Sequence, residues 1–412
     1  MTEFFHVITA DQFIERLACF PRLGGETVLL DDAVGRILAS DIAAREDLPV
    51  GARSTVDGYA VRAEDTFGAS ESIPALLGLA SPISMGVIPD FKLLPGQAAP
   101  IFTGGFLPEG SDAVVMVEYS NAAGADAIEI SRPVTLRTNV VDRGEDARAG
   151  ELQLRAGKKL RPQEIGFLAA LGFAEIEVGR RPKVAIISSG DEIIPVEQKP
   201  RPGQIRDANG HSVAALVRAC GCVPIQFDIV PDSAEILDKT LREALASADV
   251  VALSGGSSVG ARDLMASCAA ALPGAEILAH GVTIKPGKPT LLGRQSDKAI
   301  FGLPGHPVSA LVIAQIFLAP FLDYLSGAPL KKGPAGRNVR ATLAVSLHSE
   351  IGLEEYIRVS IEEAEDGTCA AHPVLGKSGM LSTLTKADGI VRVPMNVEGL
   401  SRGETVTVVT YF

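Results

Sequence analysis

The sequence predicts an α/β plus β fold: several domains, with a doubly wound α/β domain over residues 181–328. Three observations predict it. Between residues 183 and 325, apolar runs and helical patterns alternate, as in an open parallel sheet. Three of the apolar runs end in loops rich in Gly and Pro. These read Ser188-Ser189-Gly190-Asp191-Glu192, Ser254-Gly255-Gly256-Ser257-Ser258-Val259-Gly260-Ala261-Arg262-Asp263 and Gly302-Leu303-Pro304-Gly305-His306-Pro307-Val308-Ser309. Finally, a chain of 412 residues exceeds one ordinary core.

Residues 10–20 carry apolar side chains at positions 13, 14, 17, 18 and 20, which is helical spacing with Asp11 as N-cap. A second helical stretch is expected at residues 30–40. Residues 47–146 change texture, with short alternating runs (58–62, 113–119, 127–130, 135–140) between turn clusters, and read as a β-rich domain. A helix returns at residues 163–171, stopped by Gly172. The β-rich part is then an insertion into one discontinuous domain, 1–46 with 147–180. The α/β pattern follows as 184–187, 211–219, 223–230, 234–245, 250–253, 263–271, 300–302 and 307–325. After a Gly-Pro linker at 327–336, the runs 339–347, 356–361, 389–394 and 404–411 suggest a small C-terminal β-barrel or sandwich over 329–412.

Composition bounds the function. The chain is 46% hydrophobic and 21% charged, which suits a packed globular protein. A net charge of −12 argues against a broad nucleic-acid surface, so any anion site needs its own Lys and Arg. Five scattered cysteines and an N-terminus without a signal-peptide pattern favour reduced thiols in the cytoplasm. The apolar stretch 307–322 is interrupted by Gln315 and Pro320 and falls short of the roughly 20 residues a membrane span needs. It reads as a buried helix.

Ligands of such sheets bind beyond the carboxyl ends of the strands. Gly255 and Gly256 permit an anion nest, Ser257 and Ser258 add hydroxyls, and Asp263 can reach a metal. The bland reading is a tight turn capped by Asp263. The same residues match G-x-S-x-G, the nucleophile elbow of hydrolases, with Ser258 as nucleophile and Asp297 and His306 as partners. Lys285-Pro286-Gly287-Lys288-Pro289 supplies local positive charge and is no Walker loop, since no Ser or Thr follows Lys288. Pro307 suits a helix N1 position. Asp191 and Glu192 suit Mg²⁺, a hard cation. Asp207 and Asn209 read as a helix-entry turn. Asp57, Thr103 and Asp146 sit in turn-like segments of the insertion.

Taken together, several motifs resemble one family. They are Ser54-x-x-Asp57-Gly58-Tyr59-Ala60, Thr103-Gly104, Gly144-Glu145-Asp146, Ser188-x-Gly190-Asp191-Glu192, Asp207-x-Asn209, Ser254-Gly255-Gly256-x-Ser258-Val259-Gly260-x-x-Asp263, Lys285-Pro286-Gly287-Lys288-Pro289 and Leu303-Pro304-Gly305-x-Pro307-Val308-Ser309. The family is that of the molybdopterin molybdenumtransferases, MoeA and the E domain of gephyrin. The resemblance covers nearly the whole chain. It implies an elongated four-domain subunit in a homodimer, with a site shared between subunits. It implies insertion of molybdate into adenylylated molybdopterin, with release of AMP and use of Mg²⁺ or a similar divalent ion. The pterin-adenylylating enzyme and molybdoenzymes are the implied protein partners.

Carried over by motif, Glu192 and Asp263 serve the metal. Asp57, Thr103 and Asp146 come from the insertion, and Lys285 and Lys288 act on the oxyanion. Ser188, Gly190, Asp207, Asn209, Asp232, Gly255, Gly256, Ser257, Ser258, Gly260, Pro304, Gly305, His306, Pro307, Ser309 and Ser378 bind substrate. The chain departs from the family pattern at Arg53 (usually Asn), at Thr55-Val56 (usually Ala-Met), at Gly281 (usually basic) and at His306 (usually Asn). The alternative is a non-catalytic pterin-binding or scaffold protein of the same fold.

Overall fold

Four parallel strands bring the strand-exit loops to one level. Lys183–Ser189 lies between Val223–Gln226 and Val250–Gly255, and Lys298–Leu303 follows on the far side. Ser188 is level with Ser254, and Ser254 with Leu303. The computed structural model describes residues 7–255 and 259–411. Two further strands extend the sheet antiparallel, Leu291–Gln295 and then Ala275–His280. Sequence periodicity misses this mixed edge because Gly293 and Arg294 interrupt a short apolar run. A two-residue turn with Ser296 at φ 55° closes the hairpin between Gln295 and Lys298.

Alternate strand residues face opposite sides, so the sheet buries two cores. Val184, Ile186, Ala252 and Phe301 pack beneath the helices Asn209–Ala219 and Pro307–Ile313. Ala185, Ile187, Val251 and Ile300 pack beneath Ala234–Ser247 and Val259–Ala271. The stretch from Pro307 to Leu325 is one long apolar helix with a π-helical turn at Ala314–Leu318. It is mostly buried against protein, as its sequence predicts. Its buried Gln315 is tied to Ala335: the side-chain Nε2 donates to the Ala335 carbonyl at 3.0 Å, and the Gln315 backbone carbonyl accepts from the Ala335 amide at 3.0 Å.

The first helix, Ala10–Leu17, is capped by Thr9 rather than Asp11: Thr9 Oγ1 accepts from Gln12 N, and Gln12 Oε1 accepts from Thr9 N. It packs apart from the rest of residues 1–46. Phe13 stacks on Phe317 at 4.2 Å, and Ile14, Leu17 and Phe20 join the same α/β core. The expected second helix is also absent. Residues 30–40 hold only a 3₁₀ turn at Leu30–Asp32. Gly35 turns with φ 76°, and Ile37 and Leu38 bridge to Lys159 and Val178. Leu30, Ala33 and Leu38 share a small core with Leu168 of the helix Pro162–Ala170 and with Leu171, its C-cap, while Gly25–Leu29 pairs with Glu175–Gly179.

The insertion leaves and re-enters at a neck where Leu48 and Ala147 exchange two backbone hydrogen bonds. Its main sheet has six strands, in the order Ala113–Met116, Gly58–Val61, Gln97–Ile101, Ala75–Leu79, Ala127–Ile130, Ser120–Ala122. The C-terminal strands form a closed ring of five. Asn338–Leu343 pairs with Cys369–Pro373, which pairs with Glu354–Glu363; Gly389–Val393 and Thr405–Thr410 complete the circuit. Closure gives every strand of the ring a partner on both sides. Ile284–Lys285 pairs in parallel with Glu354 and Glu355, which fastens the Pro-Gly-Lys-Pro loop to the barrel.

Candidate active site

A cavity of about 720 Å³ opens between the loop Lys285–Pro289 and the barrel. Its polar lining includes Lys285, Lys288, Ser309, Arg358, Lys377 and Ser378. Gly287 makes this loop possible. Its φ is +125°, and an added Cβ would lie 2.4 Å from Ile313 Cδ1. The loop therefore lies flat on the helix that begins at Pro307. Lys285 is partly neutralised by Glu355 at 3.4 Å, whose second oxygen accepts from Ser349 at 2.9 Å. Lys288 is exposed and has no carboxylate partner among the described residues.

Sequence reasoning missed Arg358. It is 7% exposed, and its Nη2 donates to Gly376 O at 2.9 Å, while Nε is buried without a partner among the described residues. Burial pushes its pKa below the ordinary value, an effect partly offset by neighbouring Tyr411. A buried cation with an open donor suits an anion. The strand 354–363 looks in sequence like any alternating barrel strand, so only the burial of Arg358 beside the cavity reveals it.

The strand-exit loops form a second polar cluster. Asn209 Nδ2 donates to Ser254 Oγ at 2.7 Å and to Gly305 O at 2.8 Å. This joins the second and third loops through the helix-entry turn. Asn209 Oδ1 and Ser188 Oγ stay buried without partners among the described residues. Asn209 Oδ1 can only accept, whereas the Ser188 hydroxyl can donate or accept. Asp207 Oδ1 accepts from Gly210 N at 2.8 Å, the helix-entry role expected for it. Asp232 Oδ1 accepts from Ser189 Oγ at 3.1 Å, and Asp232 N donates to Asp191 Oδ1 at 3.1 Å. Gly255 is required by close approach: a Cβ there would lie 2.3 Å from Ser189 O. Gly190 has φ +153° and faces the Glu192 carboxylate.

Gly256, Ser257 and Ser258 lie outside the described residues. Gly260 and Asp263 fall within the helix Val259–Ala271, and nothing more is described of them. Pro304 is buried, Pro307 opens its helix, and Ser309 is 5% exposed on the cavity wall. The hydrolase constellation does not assemble. Asp297 precedes the strand Lys298–Leu303 and His306 follows it. Six extended residues separate their ends by about 20 Å. His306 instead bonds Ser378, Nδ1 to Oγ at 2.9 Å.

In the insertion, Thr103 and Asp57 meet directly through two hydrogen bonds. Asp57, Thr103 and Asp146 are all exposed. Neither Asp57 nor Thr103 makes a hydrogen bond or ion pair with the α/β domain among the described residues. Asp191, Glu192, Asp207 and Asp232 give the strand exits hard oxygen donors of the kind Mg²⁺ takes. Among the described residues, no group of three or more His, Cys, Asp or Glu is placed to hold a metal ion unaided.

Known proteins are similar to this chain along most of its length. The family model for the MoeA N-terminal region (domain I and II) matches residues 7–172. The one described as "Probable molybdopterin binding domain" matches 185–324, and that for the MoeA C-terminal region (domain IV) matches 340–411. A molybdopterin molybdenumtransferase of Nostoc is 37% identical over 393 residues, covering 93% of this chain and 88% of the relative. That of Bacillus subtilis is 32% identical over 406 residues, covering 97% and 93%. The crystal structure of a molybdopterin biosynthesis MoeA protein from Pyrococcus horikoshii OT3 superposes with TM-score 0.80 at 32% identity, covering 98% of this chain and 100% of that one.

Proposed function

The chain belongs to the MoeA family, and from that premise we propose that it acts in molybdenum cofactor biosynthesis as a molybdopterin molybdenumtransferase. In this reading it inserts molybdate into adenylylated molybdopterin, and AMP leaves. The observation that carries the reading is the cavity between Lys285–Pro289 and the barrel, where Lys288, Arg358, Ser309 and Ser378 line one wall system.

Molybdate is a small dianion with acceptors only. Lys288 and Arg358 oppose its charge, and the hydroxyls of Ser309 and Ser378 donate to its oxygens. Lys285, tied to Glu355, contributes a weaker field. Buried Ser188 Oγ and Asn209 Oδ1 accept from donors of the pterin nucleotide. The loop after Val250–Gly255 receives its phosphates through backbone amides, as glycine-rich strand exits do.

Glu192 and Asp263 are the residues that would hold Mg²⁺, with phosphate oxygens completing its shell. Bound there, Mg²⁺ would supply positive charge against the pyrophosphate. The adenylyl bond already stores the activation, so positioning and electrostatics suffice for this chain. Asp57, Thr103 and Asp146, remote from these loops in bonding, act in our reading from a second subunit of a homodimer. The five free thiols suit a reducing cytoplasm.

The test supplies purified protein with adenylylated molybdopterin, Mg²⁺ and molybdate, and measures AMP. Molybdate-dependent AMP release is expected, and Asp263→Ala abolishes it. Bound pterin nucleotide without molybdate-dependent AMP would leave only a binding protein.

A further inference from the structure

We propose that His306 is a positioning residue that aims the Ser378 hydroxyl into the cavity as a donor to the bound oxyanion. The inference rests on the oxyanion reading of that cavity and adds a residue that acts through another.

Ser378 belongs to the barrel domain but is held at both polar ends by the third strand-exit loop. Its carbonyl accepts from Val308 N at 3.1 Å, and its Oγ lies 2.9 Å from His306 Nδ1. The peptide preceding His306 is itself anchored, since Gly305 O accepts from Asn209 Nδ2. The imidazole thus reaches Ser378 from a fixed backbone. Ser378 also lines the cavity, together with Ser309 and Lys288.

A serine hydroxyl has one proton. If it donates to His306, only lone pairs remain to face the cavity, and these repel an oxyanion. If His306 Nδ1–H donates to Oγ, the serine proton is released toward the cavity. An acceptor-only ligand selects the second arrangement, so the tautomer of His306 and the direction of the Ser378 hydroxyl are set together. Asn at position 306 presents an amide N–H near the Nδ1 position. Gln presents its amide farther out, near Nε2.

The full-length protein and its variants are titrated with sodium molybdate alone by isothermal calorimetry. Ser378→Ala and His306→Ala are each expected to bind about tenfold more weakly, the cost of one hydrogen bond to a charged group. His306→Ala/Ser378→Ala is expected to bind no more weakly than Ser378→Ala. His306→Asn recovers parent affinity to within about threefold, and His306→Gln does not. Thermal melts on the same samples establish folding; if the alanine variant fails to fold, the Asn and Gln pair carries the comparison.

Parent-like binding by His306→Ala overturns the proposal. So do losses that multiply in the double variant, or Asn and Gln variants that bind alike. These outcomes leave the oxyanion reading intact. A parent protein that does not bind molybdate overturns both.

Discussion

Asp57 Oδ1 accepts two hydrogen bonds from a single residue, one from Thr103 N at 2.7 Å and one from Thr103 Oγ1 at 2.7 Å. The backbone bond, then the side-chain bond, hold the Asp57 carboxyl below its ordinary range. Thr103→Val keeps the first bond and removes the second. The Asp57 titration should therefore rise toward the ordinary value near pH ~3.9, read by carboxyl ¹³C NMR. A depressed folded-state value stabilises above the unfolded pKa and loses that contribution as pH falls through the folded value. The parent should thus be more stable than Thr103→Val at neutral pH, and the difference should vanish in acid. An unmoved titration would show that the hydroxyl does not hold the carboxylate.

Arg358 separates function from stability. It is nearly buried, and its Nε has no partner among the described residues. Replacing a poorly compensated buried charge with an apolar side chain is often neutral or stabilising. Arg358→Met should therefore leave the melting midpoint without molybdate unchanged or raised. Molybdate affinity should fall at least about tenfold, as expected when a charge-assisted bond is lost. Arg358→Lys should not recover it, because an ammonium cannot hold Gly376 O and face the cavity in the same fork. A lower midpoint with unchanged affinity would make Arg358 a structural residue.

What the sequence shows of this site follows from how local each signal is. The parallel strands around Ser188, Ser254 and Leu303 are legible because each is a short apolar run ended by glycine or proline. The C-terminal barrel is legible in its runs but not in its closure, which depends on pairing between Glu354–Glu363 and Gly389–Val393. The helix at Ala10–Leu17 is legible as a helix. Its partner is not, because the stacking of Phe13 on Phe317 spans most of the chain. Residues 30–40 mislead: their apolar spacing imitates a helix, while long-range bridges to Lys159 and Val178 hold the backbone extended. Arg358 is invisible for the same reason, since its neighbours in sequence do not reveal which barrel face it occupies.

The thiols divide by burial. Cys220 is buried, and desolvation, with a smaller contribution from Asp323, pushes its thiol up to about 12. Burial likewise pushes the Cys222 thiol far above its ordinary value. Thiolate is the reactive form, so both should resist alkylation in the native protein at pH ~8. Exposed Cys19 should react with iodoacetamide under the same conditions. Peptide mapping by mass spectrometry checks the pattern. Rapid labelling of Cys220 without denaturant would mean that the helix Asn209–Ala219 opens far more readily than its core packing implies.

Gly287 offers the most direct test of how the Lys285–Pro289 loop is built. A Cβ there meets Ile313 Cδ1 and Cγ1, both at 2.4 Å, and the residue sits at φ +125°. Gly287→Ala therefore carries two penalties, overpacking and an unfavourable backbone, each of about 1–3 kcal/mol. The loop must lift from the helix or the helix must shift, and either motion carries Lys288 away from Ser309. Urea denaturation should show a loss of about 2–6 kcal/mol, and molybdate affinity should fall with it. Ile313→Ala clears the clash but opens a cavity, costing about 2–5 kcal/mol alone. Because the two residues touch, the double variant should lose less than the sum of the single losses. The shortfall should equal the overpacking part, while the backbone part persists. Strict additivity would place the strain of Gly287→Ala wholly in its φ angle and remove Ile313 as the floor on which the loop rests.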